Sequence, residues 1–143
     1  MVNTRLENWQ KIAMFFAPLV HFLFGGWTLP LKILTTFFVL DFISGILAAI
    51  VQKELNSSIG ALGIAKKIGI LILVAVAHLL DQLFTAEAPM LRTVVLYGFI
   101  STEGISIVEN VSLIGIRVPK SLRAALAQVR EREEKKVGGT TDV

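Results

Sequence analysis

The sequence predicts an all-α integral membrane protein with three or four transmembrane helices, four preferred, followed by a charged C-terminal helix on the cytoplasmic side. Three observations carry this. Hydrophobic residues make up 54% of the 143-residue chain and charged residues only 17%, where a soluble domain carries about 25% charged residues. Mean hydropathy is +0.70, and the apolar residues fall into four long blocks rather than amphipathic stripes. One block is apolar all round: residues 68–77 hold no polar side chain, and ionisable residues flank them.

The blocks divide the chain into a polar tail at 1–11, a transmembrane region at 12–116, a charged helix at 117–137 and a disordered end at 138–143. Within the region the expected helices are 12–29, 31–51, 60–84 and 91–115. In the tail, Trp9 beside Arg5, Glu7 and Lys11 suits either a headgroup-level anchor or a short disordered segment. The first block has the flanks of a signal peptide, but Gly25-Gly26-Trp27 offers no small-residue cleavage site and a second block follows at once. It is the weakest span, because Pro18 and His21 interrupt it and Gly25-Gly26 ends it. Pro30 marks the start of the next helix.

The second block carries Asp41 at its centre. At a period of 3.6, Asp41, Ser44, Gly45, Ala48 and Gln52 share one face. Gly45 and Ala49 form a small-xxx-small pair that admits a close helix neighbour. A carboxylate there is either an interhelical hydrogen-bond acceptor or part of a wetted surface. Ser57 or Ser58 is the expected cap of the third helix. Its Lys66 and Lys67 are expected to reach back to the headgroups, and His78 with Asp81 to face protein or water. From Lys67 to Phe84 the helix spans roughly 26 Å. Thr85 to Pro89, with Glu87, reads as a short polar turn.

The last block combines span length with polar residues. Helical geometry puts Arg92, Phe99, Glu103, Ser106 and Asn110 on one face. Glu109 points about 120° away, beside Thr102. One neighbour cannot satisfy both carboxylates. No cation lies within a turn of Glu103, and Lys67 and Arg92 sit toward helix ends, so Glu103 is expected to rely on neutral hydrogen bonds. After Pro119, residues 121–136 favour a helix with Leu122, Ala125, Leu126 and Val129 on one face, serving as a solvated tail, a gate or an oligomer contact. The charges from Glu131 to Lys136 are expected to be solvated.

Several function classes drop out. There is no cysteine, hence no thiolate metal site or thiol nucleophile. His21 and His78 lie far apart, so no metal is expected. Glu103 and Glu109, on different faces of one helix, imply no acid/base cleft, and no phosphate-binding loop or HExxH is present. No enzyme activity and no cofactor are expected. The net charge of +3 is concentrated at the N-terminus, at Lys53 to Lys67 and after Ile116. That is a pattern of cytoplasmic loops, not of nucleic-acid binding. Two crossings separate the last two regions, which places both on one side; if the first block spans as well, both termini are cytoplasmic. With the first block interfacial, three spans remain.

These residues resemble a known family, the toxin-secretion and phage-lysis holins of Gram-positive bacteria and their phages. The resemblance covers about Leu40 to Leu126. It rests on LDFISGILAAI from Leu40, SSIGALGIAKKIGILILVAVAHLLDQL from Ser57, and LRTVVLYGFISTEGISIVENVSLIGIRVPKSLRAALAQ from Leu91. In combination, Asp41, Lys66-Lys67, His78 with Asp81, Arg92, Glu103-Gly104, Glu109-Asn110 and the Pro-Lys start of the tail helix are specific. The resemblance implies a non-enzymatic protein of the bacterial cytoplasmic membrane, whose partners are the bilayer and further copies of itself. It implies that the copies assemble into a lesion that releases a cell-wall hydrolase or a toxin. An ion or proton relay through Asp41, His78, Asp81 and Glu103 is the alternative, and a membrane scaffold binding through its basic tail is a third.

Overall fold

The computed structural model describes residues 3–84 and 90–138. Among them the chain forms five helices and no strand: α1 (Asn3–Phe24), α2 (Leu29–Gln52), α3 (Ser57–Phe84), α4 (Met90–Leu113) and α5 (Lys120–Gly138). The turn from Thr85 to Pro89, with Glu87, and the end at 139–143 lie outside the described residues. Three helices among the described residues are long and apolar enough to cross a membrane: α2, α3 from Gly60 onward, and α4. α1 is not one of them. Its helix starts at Asn3 and runs through the stretch read as a polar tail, so polar residues fill its first turns.

The sequence explains where the helices stop. Gly25 and Gly26 hold φ of 67° and 95°, values that favour glycine, and they end α1. Pro30 sits in the first turn of α2, where its missing N–H costs no hydrogen bond. Lys53 closes α2 in the left-handed region at φ 58°. The following N–H, of Glu54, donates back to Ala49 O at 2.9 Å. The cap of α3 is Asn56, not Ser57 or Ser58: its Oδ1 accepts from Ser58 N at 3.0 Å and from Ser58 Oγ at 2.7 Å. The helix therefore begins ten residues before Lys67.

α4 is the central element and packs on α2, α3 and α5, while α1 lies against α3. α2 and α4 run parallel. Arg92 meets Thr28 at their starts, and Asn110 meets Ser44 further along. α3 runs antiparallel to both. The core between them is Leu31, Leu34 and Phe38 of α2, Val74 of α3, and Leu96 and Ile100 of α4. Leu31, Leu34, Val74 and Leu96 are at most 1% exposed, so side chains fill the space between the three helices among the described residues.

α5 folds back across α4. Ser101 Oγ donates to the Leu126 carbonyl at 2.6 Å, and Arg123 donates to Ser112 Oγ at 3.0 Å. Leu126 is buried and Val129 packs on the core, whereas Leu122 and Ala125 stay exposed. Gly104 makes this seat possible. A Cβ there would lie 2.5 Å from Leu126 Cδ2 and 3.1 Å from Phe37 Cε2. Leu126 can rotate away from a methyl group but not from a branched side chain. Gly104→Val should therefore unseat α5 at a cost of about 1–3 kcal/mol. Limited trypsin digestion in detergent should then cut the α5 arginines and lysines faster than in the parent; equal rates would show that α5 does not depend on Gly104.

Candidate functional site

Each of the three candidate spans contributes one charged residue to a single, largely buried cluster. Lys67 Nζ lies 2.8 Å from Asp41 Oδ2 and 2.8 Å from Glu103 Oε2. The side chains are 15%, 17% and 9% exposed in the order Lys67, Asp41, Glu103. The ammonium also sits 5.2 Å from the centre of the Phe38 ring, within cation–π range. Asn110 Nδ2 donates to Asp41 Oδ1 and to Ser44 Oγ, both at 3.1 Å. Ser44 Oγ donates to the Asp41 carbonyl at 3.1 Å. Charge-assisted hydrogen bonds of this kind are about twice as strong as neutral ones.

This corrects two expectations. Lys67 does not reach back to headgroups, and Glu103 does have a cation. The reason is where α3 begins. With Asn56 as cap, Lys67 lies about 15 Å into the helix, at the level of Asp41 and Glu103 on their helices. The apolar run before it, Ile59 to Ala65, was the signal that the span starts early. Gly45 is also placed within the chain. A Cβ there would sit 3.6 Å from Asn110 Nδ2, so this small residue leaves room for Asn110 of α4. Lys66 and Glu109 stay outside the cluster, both exposed.

A second polar cluster forms at the other end of α3. Asp81, 4% exposed, accepts from the backbone N–H groups of Leu91 at 2.9 Å and Arg92 at 2.8 Å. It thereby caps the first turn of α4 from a neighbouring helix. The buried Arg92 guanidinium donates to Thr28 Oγ1 at 2.9 Å. His78 is buried, with Nε2 2.8 Å from the Gln82 amide nitrogen. Its ring fills the space over Gly25, where a Cβ would come within 2.5 Å of Cε1. His78 Nδ1 and Arg92 Nε have no hydrogen-bond partner among the described residues. Together these contacts join the α1–α2 turn to the end of α3 and the start of α4.

The two clusters are separate. Lys67 and Asp81 stand about 21 Å apart along α3. The four residues Asp41, His78, Asp81 and Glu103 are therefore divided into two pairs, not gathered into one chain. Among the described residues, no three His, Cys, Asp or Glu side chains come close enough to hold a metal ion.

A helical membrane bundle with ion-paired spans narrows the field, and sequence comparison decides it. Residues 18–131 match the pattern of the bacteriophage holin family. The chain belongs to that family. The bacteriophage holins are non-enzymatic membrane proteins, and with three apolar helices this member is a multi-pass membrane protein. It is 40% identical over 119 residues to an uncharacterised protein of Clostridium perfringens strain 13, covering 83% of this chain and 88% of that one. It is 42% identical over 124 residues to an uncharacterised Listeria monocytogenes protein, covering 84% and 88%. A protein of Bacillus phage phi105 named a probable holin is 29% identical over 98 residues, covering 68% and 72%. No solved structure matches the chain.

Removing the cation should leave two carboxylates facing each other in the bundle. Lys67→Met should cost about 3–5 kcal/mol, the usual penalty for stripping a buried charge of its partner. Adding Asp41→Asn and Glu103→Gln should recover most of that loss. Thermal unfolding in detergent micelles measures both; a triple variant no more stable than Lys67→Met would show that the triad is not the source of the loss.

Proposed function

We propose that this chain acts as a holin of the bacterial cytoplasmic membrane. Copies accumulate, associate and open lesions through which a cell-wall hydrolase or a toxin leaves the cell, and lysis follows. The observation that carries this reading is the triad inside the three-helix bundle. A polar seam held by ion pairs inside a membrane protein keeps charge away from lipid while the bundle is closed. The same seam offers a wettable surface once the helices separate. The packed core adds a second support. Side chains fill the space between the three described spans, so release of a folded protein needs many copies.

The orientation follows from charge. α2 and α4 run parallel, so Lys53, Arg117, Lys120 and Arg123 gather at one end of the bundle. The positive-inside rule makes that end cytoplasmic. In this reading α1 is a fourth crossing, with the N-terminus and the start of α5 inside. Its exposed Met14, Phe15, Phe16, Leu19 and Phe22 suit contact with lipid. The relay alternative loses its main support, because its four residues lie in two clusters.

Inducible expression, with membrane potential and viability followed over time, tests the reading. The expected course is no effect, then abrupt depolarisation and killing once a threshold amount has accumulated. A graded ion current without a threshold would replace this reading with a transporter. Within the same assay, Glu103→Gln keeps the shape and a hydrogen bond to Lys67, so it should insert and lyse on a shifted schedule. Glu103→Leu should insert but fail to open, or open at a grossly altered time. Lysis by Glu103→Leu on the parental schedule would remove the triad from the opening mechanism.

A further inference from the structure

The charged residues of the three spans can be sorted by what each one touches. Asp41, Lys67 and Glu103 satisfy one another, and Asp81 and Arg92 are engaged at the start of α4. Lys32 lies in the first turn of α2, close to the membrane edge. Two remain. Lys66 on α3 and Glu109 on α4 are exposed, and neither makes an ion pair or a side-chain hydrogen bond among the described residues. They are opposite in sign and lie within spans whose surroundings are lipid.

Their positions are related. Lys66 lines an open groove between α3 and α4, together with Gly69, Ile70, Phe99 and Thr102. Glu109 stands two helical turns beyond Thr102 on the same face of α4. Both lie in the half of the bundle that holds the end of α2 and the end of α4. Lys66 is about 14 Å from that end and Glu109 about 6 Å from it. The lysine stem and the glutamate side chain together cover this difference of about 8 Å. Deeper along the same two helices the surface is open to close approach: a Cβ on Gly69 or on Gly98 would meet nothing within 4 Å. Small residues at a helix surface, here half-buried, let a second backbone come near.

We propose that this α3–α4 face is a contact between two copies of the chain, with Lys66 of each copy paired to Glu109 of the other. The inference rests on the assembly reading above and names its surface. One face carries both signs, so a two-fold axis along the membrane normal sets each lysine opposite a glutamate. Copies inserted in the same orientation keep the offset of about 8 Å, and side chains on each helix lean toward its start, which brings the lysine and the glutamate toward each other. A different partner protein would need its own acid and base placed to meet both charges, whereas a second copy supplies one of each. The pairing also accounts for the two carboxylates on two faces of α4: Glu103 is met by Lys67 of its own chain, and Glu109 by Lys66 of the neighbour.

A charge-exchange experiment on the full-length protein in membranes tests this. The chain has no cysteine, so Ile105→Cys, on the exposed face of α4, gives a clean disulfide report of contact between copies. In that background, Lys66→Glu alone and Glu109→Lys alone should each lower dimer cross-linking about tenfold, because like charges then face each other. Co-expressing the two single variants should restore it. One copy then carries two acids and the other two bases, and both pairs form only between unlike copies. Each variant is checked for membrane insertion by fractionation. The milder Lys66→Gln and Glu109→Gln serve if a charge reversal fails to insert: each should weaken cross-linking, and combining them should add no further loss. Parental cross-linking by the single variants, or co-expression that restores nothing, would overturn the proposal and leave both charges to headgroups and water. Lysis is scored separately. Charge-dependent cross-linking without a lethal threshold keeps the interface and sinks the lesion reading. A threshold without charge-dependent cross-linking does the reverse.

Discussion

The bundle is organised around one ammonium group. α2 and α3 share little surface, yet Lys67 of α3 reaches Asp41 of α2 and Glu103 of α4 at once. In hydrocarbon an unpaired carboxylate is expensive, so two carboxylates on different helices are a constraint before they are an asset. A single lysine between them meets that constraint and fixes the helices relative to one another. Such a pair need not add more stability than apolar packing would, and its best-attested role is to set register. Here the neighbouring residue shows what register means. A slip of α3 by one position would turn Lys67 outward and leave Lys66 close to the carboxylates.

The second polar cluster works differently. Asp81 satisfies backbone N–H groups, Arg92 reaches Thr28, and His78 rests on Gly25. These are positional contacts at chain turns. They tie α1 and α2 to the α3–α4 end. The triad instead lies where three spans meet away from any turn. Polar residues that look alike in the sequence thus divide into a fastening at one end and an ion-paired seam near the middle.

Much of this was legible in the sequence, and the limits have physical causes. Blocks of apolar residues gave the helical membrane class, because lipid permits few other backbones. The shared face of Asp41, Ser44, Gly45 and Ala48 was readable from helical period, as was the separation of Glu103 from Glu109. The partner of Glu103 was not. Its identity depends on the depth of Lys67, and a pair of lysines beside a long apolar run reads as the membrane edge although the helix begins ten residues earlier. The role of Asp81 was half legible: a buried carboxylate must face protein, but the N–H groups it binds carry no mark in the sequence. The seat of α5 was hidden for another reason. Leu126 and Gly104 meet only through tertiary packing, and an amphipathic helix does not announce what it will lie against.

The cap that Asp81 supplies to α4 bears on biogenesis. The first N–H groups of a helix lack intrahelical partners, and hydrocarbon offers none. α3 precedes α4 in the chain, so the carboxylate is already present when the first turn of α4 forms. A route that threads the two helices into the bilayer separately leaves those N–H groups bare. A route that threads them as a closed hairpin does not. The hairpin is therefore the natural unit of insertion, and the translocation machinery would handle α3 and α4 together.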